Sequence, residues 1–559
     1  MAHLSDAASS SVATAVHPPW FSPAMPTREA CVLPCLLERW ARERPTALAV
    51  EFESGERWSW SEALTEVRRA AAALRALEVK PGDRVLAWLP NGPDMLRVWF
   101  GANYLGATAV PLNTSYRGKL LQHVVNQSDS AVMVVHSDLA DRLSDIATTV
   151  LKRVVVRGGR TIPAMAGVDV LPGTHLDSTA EVAAPHAVER WDSPSIIYTS
   201  GTTGPSKGVL TTYLQQYTVG QACFGYLTHD DRLLVNLPLF HVGGVTAVYG
   251  ALATGASIAL FDTFSTKTFW RDVRRTGATT ISGLIGAMVS FLLKNDPQPD
   301  DADNPLRRVV LSPVTAQALR LSERYGFDFF SGFNMTEVSV PLVTNLNSTA
   351  FGSCGRPRTG VECRIVDAND IEVPTGSIGE LIIRNDLPWS LNRGYHGLPE
   401  ATATAWRNGW FHTGDLMYRD ADGNFFFVDR QKDAIRRRGE NISSIEVEIE
   451  VDDHPAVAEV AAIAVPSPDG EDEVMVVIAV KPGLSLDPAE LIEFLAARMT
   501  HFMVPRYIRV VPALPKTPTN KVQKVELRRE GVTPDTWDRV AAGIEIRRTR
   551  IGAEPARRG

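Results

Sequence analysis

The sequence predicts an α/β protein with a large N-terminal domain of doubly wound sheets, a small β-rich subdomain and a small α+β C-terminal domain. With 559 residues, the chain is too long for one ordinary hydrophobic core. Strand-like apolar runs alternate with helix-like runs through the first part of the chain, which is typical of a doubly wound fold. A charged composition break at residues 429–440 separates this part from a compact unit that follows.

The first domain contains most of the predicted elements. Ser59 and Glu62 form a capping box, which predicts a helix that continues to about residue 77. Residues 364–384 change to short strands with Gly and Pro turns, which indicates the β-rich subdomain. Further helices are predicted at residues 95–104 and 281–293, and strands at residues 84–89, 131–136, 153–156, 195–197, 233–239, 256–261 and 308–311.

The compact unit after the break is predicted to begin with a helix near Ser443. It continues with strands at 457–465 and 473–481 and a helix at 488–499. The segment before the first domain is rich in Ala, Ser and Pro, and it lacks the basic start and apolar stretch of a secretory signal. The predicted boundaries are a loosely ordered arm at 1–26, an N-terminal domain at 27–431, a C-terminal domain at 432–530 and a charged tail at 531–559.

Composition narrows the class of protein. Hydrophobic residues make up 44% of the chain and charged residues 22%, as in ordinary soluble proteins. A net charge of −7 argues against a nucleic-acid partner, and no apolar run has the length of a membrane span. The five cysteines are scattered and odd in number, which favours reduced thiols and a cytoplasmic location. The oligomeric state is open, with a homodimer as the candidate assembly.

The most informative stretch is residues 198–208, Tyr-Thr-Ser-Gly-Thr-Thr-Gly-Pro-Ser-Lys-Gly, which follows a short apolar strand. Glycines let a ligand approach the backbone, successive N–H groups can hold an anion, and hydroxyls and a lysine contact phosphate oxygens. The loop is therefore suited to a polyphosphate. It is not a Walker A loop, because Gly201 and Gly204 are too close together and Gly208 follows Lys207. The alternative interpretation is a flexible linker, but a linker would not require glycines at this spacing.

Three further motifs carry chemistry, although each alone resembles an ordinary turn or a solvated loop. Residues 331–337, Ser-Gly-Phe-Asn-Met-Thr-Glu, combine a flat ring, a hydroxyl and a carboxylate, which suit a base, a phosphate and a hard cation. Residues 410–416, Trp-Phe-His-Thr-Gly-Asp-Leu, are followed by Asp429 and Arg430, and an Asp with an Arg can hold a ribose. Residues 514–524, Leu-Pro-Lys-Thr-Pro-Thr-Asn-Lys-Val-Gln-Lys, form a basic loop with prolines.

In this order the four motifs resemble those of the adenylate-forming enzymes, which comprise acyl-CoA synthetases, luciferases and peptide-synthetase adenylation domains. The resemblance runs from about residue 30 to 529. Residues 435–444 look most like ligases of the crotonobetaine/carnitine-CoA type. The chain departs from the family pattern at Pro205-Ser206, where x-Pro is usual, at Phe333 for Tyr, and at Asn334 and Asn520 for Gly.

The resemblance implies an ATP-dependent carboxylic acid–CoA ligase, an AMP-forming acyl-CoA synthetase of fatty acid or other carboxylic acid metabolism. It forms an acyl adenylate and pyrophosphate, and then an acyl-CoA thioester with release of AMP. Magnesium is held by Glu337, and Phe333 stacks on adenine. The implied catalytic residues are Lys207, Thr336, Glu337 and Lys521. The implied ATP/AMP-binding residues are Thr199, Ser200, Gly201, Thr202, Thr203, Gly204, Lys207, Ser312, Phe333, Asn334, Met335, Thr336, Asp415, Arg430 and Lys521.

The same resemblance implies that the small C-terminal domain is mobile and rotates between the two steps, with Lys432 as the hinge. Arg438 and Gly439 then lie near the CoA pantetheine. His241 gates the acyl pocket, although a structural histidine is an equal alternative. Tyr213 stands where acyl-CoA ligases usually carry His and is assigned no role. The implied acyl pocket contains His241, Val242, Gly243, Gly283 and Ser331.

Other functions are weighed against this one. Adenylating enzymes that deliver to a carrier protein or other acceptor usually have Asp at the position that His241 occupies in this chain, directly after Phe240. In addition, no carrier module follows in this sequence. An acyl-AMP ligase without CoA, a luciferase-like oxygenase and a non-catalytic nucleotide sensor remain open. The sequence does not identify the acid, because the residues of the pocket stretches are mostly small and apolar. They show no anion or aromatic cage for a trimethylammonium group.

The implied rotation makes a prediction about Lys521. We expect Lys521→Ala to lose acyl adenylate formation, because the ammonium group bridges the carboxylate and a phosphate only in that step. Thioester formation from a supplied acyl adenylate should keep much of its rate. Assaying the two half-reactions separately tests this, and equal loss of both would contradict the domain rotation.

Overall fold

The computed structural model describes residues 16–546, except 115, 117, 160–164, 200–205, 286, 431–434, 438–439, 443, 467–471, 497, 500–502 and 517–521. Within these residues, no helix is both long enough and apolar enough to cross a membrane.

The first part of the chain forms an α/β unit. Its helices are α1 (Arg28–Cys31), α2 (Leu33–Glu43), α3 (Trp60–Ala76), α4 (Pro93–Tyr104), α5 (Gly118–Gln127), α6 (Ser137–Ala140), α7 (Tyr213–Phe224), α8 (Val242–Thr254), α9 (Phe269–Thr276), α10 (Ala287–Leu293) and α11 (Ala316–Tyr325). Its strands are β1 (Leu48–Phe52), β2 (Arg57–Ser59), β3 (Arg84–Trp88), β4 (Thr108–Pro111), β5 (Val132–His136), β6 (Arg153–Arg157), β7 (Asp169–Pro172), β8 (Ile196–Thr199), β9 (Lys207–Leu210), β10 (Arg232–Val235), β11 (Ser257–Leu260), β12 (Thr280–Ile281), β13 (Leu284–Ile285), β14 (Arg308–Ser312), β15 (Asp328–Phe330), β16 (Gly332–Phe333) and β17 (Leu342–Val343).

Two five-stranded sheets organise this unit. One is entirely parallel, in the order β4-β3-β5-β6-β7. The other has the order β12-β10-β11-β1-β2 and is parallel except for the edge strand β2. The capping box at Ser59 and Glu62 begins α3 as predicted, and α3 packs between the sheets with Trp60 and Leu74 buried in the main core. The predicted doubly wound α/β class is confirmed.

The predicted helix at residues 281–293 is wrong in its first half. Thr280–Ile281 extends the second sheet beside β10, and Leu284–Ile285 pairs with Leu311 and Ser312 of β14. Gly283 between them has φ +140°, a conformation that favours glycine and cannot continue a helix. The helix begins only at Ala287. Pairing with strands that are distant in sequence outweighs the local apolar pattern.

A β-rich subdomain follows, as predicted. It contains β18 (Ser353–Pro357), β19 (Val361–Val366), β20 (Gly379–Asn385), α12 (Pro399–Ala405), β21 (Phe411–Arg419) and β22 (Phe425–Arg430). These strands join β16 and β17 in one seven-stranded sheet, in the order β16-β17-β18-β22-β21-β20-β19. The motif at 331–337 and the motif at 410–416 therefore belong to the same sheet.

The C-terminal unit is α+β. It contains β23 (Ile435–Arg437), β24 (Glu440–Ile442), α13 (Ser444–Asp452), β25 (Val457–Pro466), β26 (Asp472–Val480), α14 (Pro488–Ala496), β27 (Tyr507–Val511), α15 (Lys524–Glu530) and β28 (Trp537–Asp538). The sheet order is β25-β26-β27-β28. Arg437 forms a buried ion pair with Glu473, with Nε 2.8 Å from the carboxylate.

Both ends of the described chain are more closely packed than the sequence indicates. Residues 537–538, assigned to the charged tail, pair with β27, and Trp537 contacts the C-terminal core. In the segment assigned to the loosely ordered arm, Phe21 is buried and Trp20 donates from Nε1 to the carbonyl of Ala222 over 3.0 Å. In each segment, one or two aromatic side chains pack against the protein core and so hold an otherwise polar stretch in place.

Candidate active site

The predicted phosphate loop closes a β-hairpin. Strands β8 and β9 pair antiparallel, and Thr199 lies opposite Lys207. The hydroxyl of Thr199 donates to the carbonyl of Lys207 over 3.4 Å. Ser200, Gly201, Thr202, Thr203 and Gly204 lie outside the described residues, so the structure places the two ends of the loop but not its interior.

Lys207 belongs to a cluster that contains Glu337. The Nζ of Lys207 lies 4.7 Å from the ring centroid of Tyr395, over the aromatic face. The hydroxyl of Tyr395 donates to Oε1 of Glu337 over 3.0 Å. Glu337 is only 6% exposed. One aromatic residue therefore joins the predicted phosphate-binding lysine to the predicted magnesium-binding carboxylate.

The backbone at Thr336 and Glu337 is held from two sides. Nε2 of Gln215, on α7, donates to the carbonyls of Thr336 (3.0 Å) and Val338 (3.1 Å). The backbone N–H and Nδ2 of Asn392 both donate to the carbonyl of Glu337, over 3.1 and 2.8 Å. These buried bonds satisfy carbonyls that would otherwise be costly to bury, and they fix the carboxylate.

Residues 392–396 connect this carboxylate to the hairpin. The N–H of Arg393 donates to the carbonyl of Leu210, and the N–H of Leu210 donates to the carbonyl of Gly394. Gly394 has φ +111°, and a Cβ there would meet the side chain of Thr402 at 2.6 Å, so glycine is required. The segment thus runs beside β9 and presents Tyr395 to Glu337.

Sequence reasoning missed Tyr395, Asn392 and Gln215. Tyr395 is 58 residues from Glu337 in the chain, and Gln215 lies 121 residues from Thr336. Their roles arise from contacts between distant segments. The one signal in the sequence was the Gly-Tyr pair at 394–395, in a polar stretch before a helix. This pair indicates a bend that carries an aromatic side chain, but it does not indicate that Glu337 is the residue it contacts.

The other residues of the 331–337 motif occupy structural positions around this cluster. Phe333 and Met335 are half-buried and pack against the core of the β-rich subdomain. Oδ1 of Asn334 accepts the N–H of Val340 over 2.9 Å, so the side chain that replaces the usual glycine closes the turn. The N–H of Ser331 donates to the hydroxyl of Thr344 over 2.9 Å. Ser312 ends β14, the neighbour of β15.

Asp415 occupies a tightly held position on β21. It is 2% exposed, its Cα is paired with that of Arg430 on β22, and its N–H donates to the hydroxyl of Thr413 over 3.1 Å. The buried carboxylate of Glu380 accepts the N–H of Gly414 over 2.9 Å, and its other oxygen lies 3.0 Å from Nδ1 of His412. Sequence reasoning missed this support. His412 and Gly414 belong to the 410–416 motif, but the carboxylate that they contact belongs to Glu380 on another strand, β20.

The surroundings of Asp415 also affect a thiol. Burial raises the pKa of Cys354, on β18, to about 11, and the Asp415 carboxylate adds to this rise. A negative charge and low exposure both disfavour a thiolate. The Asp415 carboxylate is itself buried, so it also lies in a poorly solvated environment.

The structure brings part of the predicted acyl pocket together. A Cβ at Gly243 would lie 3.0 Å from Cδ1 of Leu237, and one at Gly283 would lie 4.0 Å from the same atom. The exposed His241 is the N-cap of α8, and its Nδ1 accepts the N–H of Gly243 over 3.2 Å. Val242 is the first residue of α8. A helix-capping role for His241 is thus present, and the gating role stays a prediction.

Several predicted residues cannot be placed. Lys432, Arg438, Gly439 and Lys521 lie outside the described residues, and of Arg430 only the backbone position is described. In the described part of the chain, no group of three or more His, Cys, Asp or Glu side chains could hold a metal ion. Magnesium usually takes one or two protein carboxylates together with substrate phosphates and water, so the single buried Glu337 fits that ion.

Comparisons with known proteins identify the family. The family model described as AMP-binding enzyme matches residues 37–396, a range that contains the hairpin, Glu337 and Tyr395. The chain belongs to the AMP-binding enzyme family. A model described as the AMP-binding enzyme C-terminal domain matches residues 446–521. The family resemblance that the four motifs indicate is confirmed.

Similar proteins include one named as a CoA ligase and one named as a coenzyme A synthetase. The chain is 29% identical over 495 residues to crotonobetaine/carnitine–CoA ligase of Salmonella paratyphi A, covering 86% of this chain and 95% of the relative. The ATP-bound structure of MatB from Rhodopseudomonas palustris has a TM-score of 0.77 and 25% identity, over 89% of this chain and 98% of that one. The AMP complex of o-succinylbenzoate coenzyme A synthetase (MenE) from Bacillus subtilis has the same score and identity, over 88% and 98%.

The raised pKa of Cys354 predicts slow alkylation. At pH 8 we expect iodoacetamide to modify Cys354 roughly 100-fold more slowly than an unshifted thiol, because only the thiolate reacts. The rate should keep rising toward pH 11, whereas an ordinary thiol levels off near pH 9. Peptide mapping by mass spectrometry measures this, with the guanidinium-unfolded chain as the control. Equal rates in the folded and unfolded chains would contradict the raised pKa of Cys354.

Proposed function

We propose that this enzyme is an ATP-dependent carboxylic acid–CoA ligase that works through an acyl adenylate. The observation that carries the proposal is the contact of Lys207 and Glu337 through Tyr395, at the end of a hairpin whose loop is suited to phosphates. A buried carboxylate beside a lysine and a phosphate loop is the arrangement that a magnesium-bound triphosphate needs. The membership of the AMP-binding family and the CoA ligases among its relatives support this chemistry.

The first half-reaction joins the acid to AMP. The substrate carboxylate attacks the α-phosphorus of ATP, the bond to the β-phosphate oxygen breaks, and pyrophosphate leaves. Lys207 places a positive charge at the phosphates, and the Thr336 hydroxyl contacts the α-phosphate. Magnesium, bound through Glu337, would supply further charge neutralisation. Such catalysis depends mainly on positioning and electrostatics, so the rigid support of Glu337 matters directly.

The nucleoside is held at the seven-stranded sheet. Asp415, with Arg430 on the paired strand, accepts the ribose hydroxyls, and Phe333 stacks on adenine. The dry surroundings of Asp415 strengthen its hydrogen bonds to the ribose. The remaining proposed contacts are those of Thr199, Ser200, Gly201, Thr202, Thr203, Gly204, Ser312, Asn334 and Met335.

The second half-reaction and its residues are proposed from the sequence. The CoA thiol attacks the acyl carbonyl carbon, and AMP leaves. Lys521 acts in adenylation, Lys432 is the hinge about which the C-terminal domain rotates, and Arg438 and Gly439 contact CoA. Delivery to a carrier protein is not favoured, because the similar proteins act on CoA. A cytoplasmic location and a homodimer stay predictions.

The acid is proposed to occupy the space beside Gly243 and Gly283. Both glycines lie beside Leu237, which would give the ligand an apolar wall. His241, Val242 and Ser331 complete the proposed lining. Small and apolar surroundings fit an acid whose body is aliphatic or aromatic.

The direct test is ATP-dependent pyrophosphate release across a panel of aliphatic, aromatic and trimethylammonium carboxylic acids, with and without CoA. Multiple turnover that requires CoA and one class of acid would establish the ligase and name its substrate. Turnover that is indifferent to CoA would contradict the CoA step and favour another acceptor.

The cluster at Glu337 makes a more specific prediction. Glu337→Gln should lower the rate of adenylation by on the order of 100-fold and raise the magnesium concentration that gives the half-maximal rate. The reason is that magnesium, which offsets the negative charge of the phosphates in the transition state, would be bound less tightly. Tyr395→Phe should lower the rate by about tenfold, because it removes a hydrogen bond to a buried charge and keeps the ring under Lys207. Both are measured by pyrophosphate release in a magnesium titration.

The matched control is Glu372→Gln, which alters a half-exposed glutamate paired with Arg419 in the β-rich subdomain. It should leave the rate and the magnesium dependence unchanged. An unaltered magnesium dependence in Glu337→Gln would contradict the proposed metal site.

A further inference from the structure

A cavity of about 540 Å³ lies outside the active site described above. It is lined by residues at the amino ends of parallel strands, among them Arg84 of β3 and Thr108 of β4. Ile196, at the start of β8, also lines it, whereas Thr199, at the end of β8, leads into the phosphate loop. The two ends of this strand are about 10 Å apart, so the cavity and the predicted ATP site lie at opposite ends of the hairpin.

The wall of the cavity is rich in basic groups. Arg84, Arg393, His186 and His396 line it, against one carboxylate, that of Asp192. Arg393 is exposed, its guanidinium carbon lies 5.8 Å from the ring centroid of Trp389, and it makes no ion pair within the described residues. Burial lowers the pKa of His396 and the charge of Arg84 lowers it further, whereas the Asp129 carboxylate opposes this shift, so His396 is a neutral hydrogen-bonding group at neutral pH. Arg84 is paired with the Asp129 carboxylate, so Arg393 is the cation of this lining that an anion would pair with.

Two lining residues also carry hydrogen-bond donors that are buried without an acceptor. In the part of the chain that the structure describes, Nε of Arg84 and the hydroxyl of Ser193 are buried and make no hydrogen bond. The other nitrogens of the Arg84 guanidinium donate to the carbonyl of Gly82 (3.1 Å) and to Asp129. Both atoms have almost no accessible surface, so an anion in the cavity would contact the exposed Arg393 and not these two donors.

The rest of the lining is apolar and includes Ile196, Leu210 and Val188. The volume lies in the range of small-molecule sites, and an apolar wall with a few convergent polar groups is their usual composition. We propose that this cavity binds a small organic anion, a carboxylate or phosphate monoester on an apolar body, with Arg393 and His396 as its principal contacts. Arginine suits both anions because its planar donors match their paired oxygens.

The cavity shares a segment with the active site. Within residues 392–396, Arg393 and His396 line the cavity, whereas Asn392 and Tyr395 hydrogen-bond to Glu337. The N–H of His396 donates to the carbonyl of Gly208 over 2.8 Å, which ties the same segment to the hairpin. Because one short segment supplies residues to both sites, we expect occupancy of the cavity to affect the position of Tyr395.

Calorimetric titration of the full chain with phenyl phosphate and with benzoate tests the site, with saturating AMP present to occupy the nucleotide site. Both anions should bind, and phenol, which has the same body without the charge, should bind at least about tenfold more weakly. The two probes distinguish phosphate from carboxylate chemistry. Absence of binding by both anions would overturn the proposal.

The variants assign binding to the cavity. The double variant Arg393→Gln/His396→Gln should weaken anion binding by on the order of tenfold, and the single variant Arg393→Gln by a smaller factor. Arg393 is exposed, so the single variant tests the site even where the double variant does not fold. Arg42→Gln is the matched control, because its side chain is 72% exposed on α2. Affinity that is the same in Arg393→Gln, the double variant and the unaltered chain would overturn the proposal.

Coupling is tested by linkage and rests on the proposed function of the active site. The affinity for phenyl phosphate should differ severalfold between AMP alone and ATP with magnesium, because two linked sites affect each other reciprocally. Identical affinities would overturn the coupling. The binding measurement needs no turnover, so its failure is distinguishable from a failure of the ligase proposal.

Discussion

The arrangement of the active site depends on one buried carboxylate. Glu337 is almost fully buried and accepts a hydrogen bond from Tyr395, and Asn392 holds its backbone carbonyl. A charge in such a position is stable only when the surrounding groups are fixed in advance. These supports come from residues 392–396, and Gln215 of α7 holds the neighbouring carbonyls, so the position of the carboxylate depends on segments that are distant in sequence.

This dependence explains why the site lies where two kinds of sheet meet. The α/β unit supplies the hairpin and Lys207, whereas the seven-stranded sheet supplies the 331–337 motif and Asp415. In the proposed function, triphosphate and ribose are therefore bound by residues of different sheets. A rigid scaffold of this kind suits a reaction in which positioning and charge stabilisation account for most of the catalysis.

Local patterns predicted elements well where local and tertiary preferences agree. The capping box of α3, the strands near residues 132–136 and 153–157, and the β-rich subdomain are examples. Local patterns gave the wrong prediction at residues 281–285, where an apolar run forms two short strands because distant strands offer pairing partners. They also missed the packing of Phe21 and Trp537, because a single aromatic residue in a polar segment has no periodicity to detect.

The sequence by itself determined the fold class, the family and the chemical groups of the four motifs, because each motif is a continuous run whose residue types suit a nucleotide. The tertiary structure alone decided which groups meet. It placed Tyr395 between Lys207 and Glu337, set Glu380 beneath the turn before Asp415, and brought Arg393 and His396 to a cavity behind the hairpin. The physical reason is that hydrogen bonds and charge contacts act over a few ångströms in space, irrespective of separation along the chain.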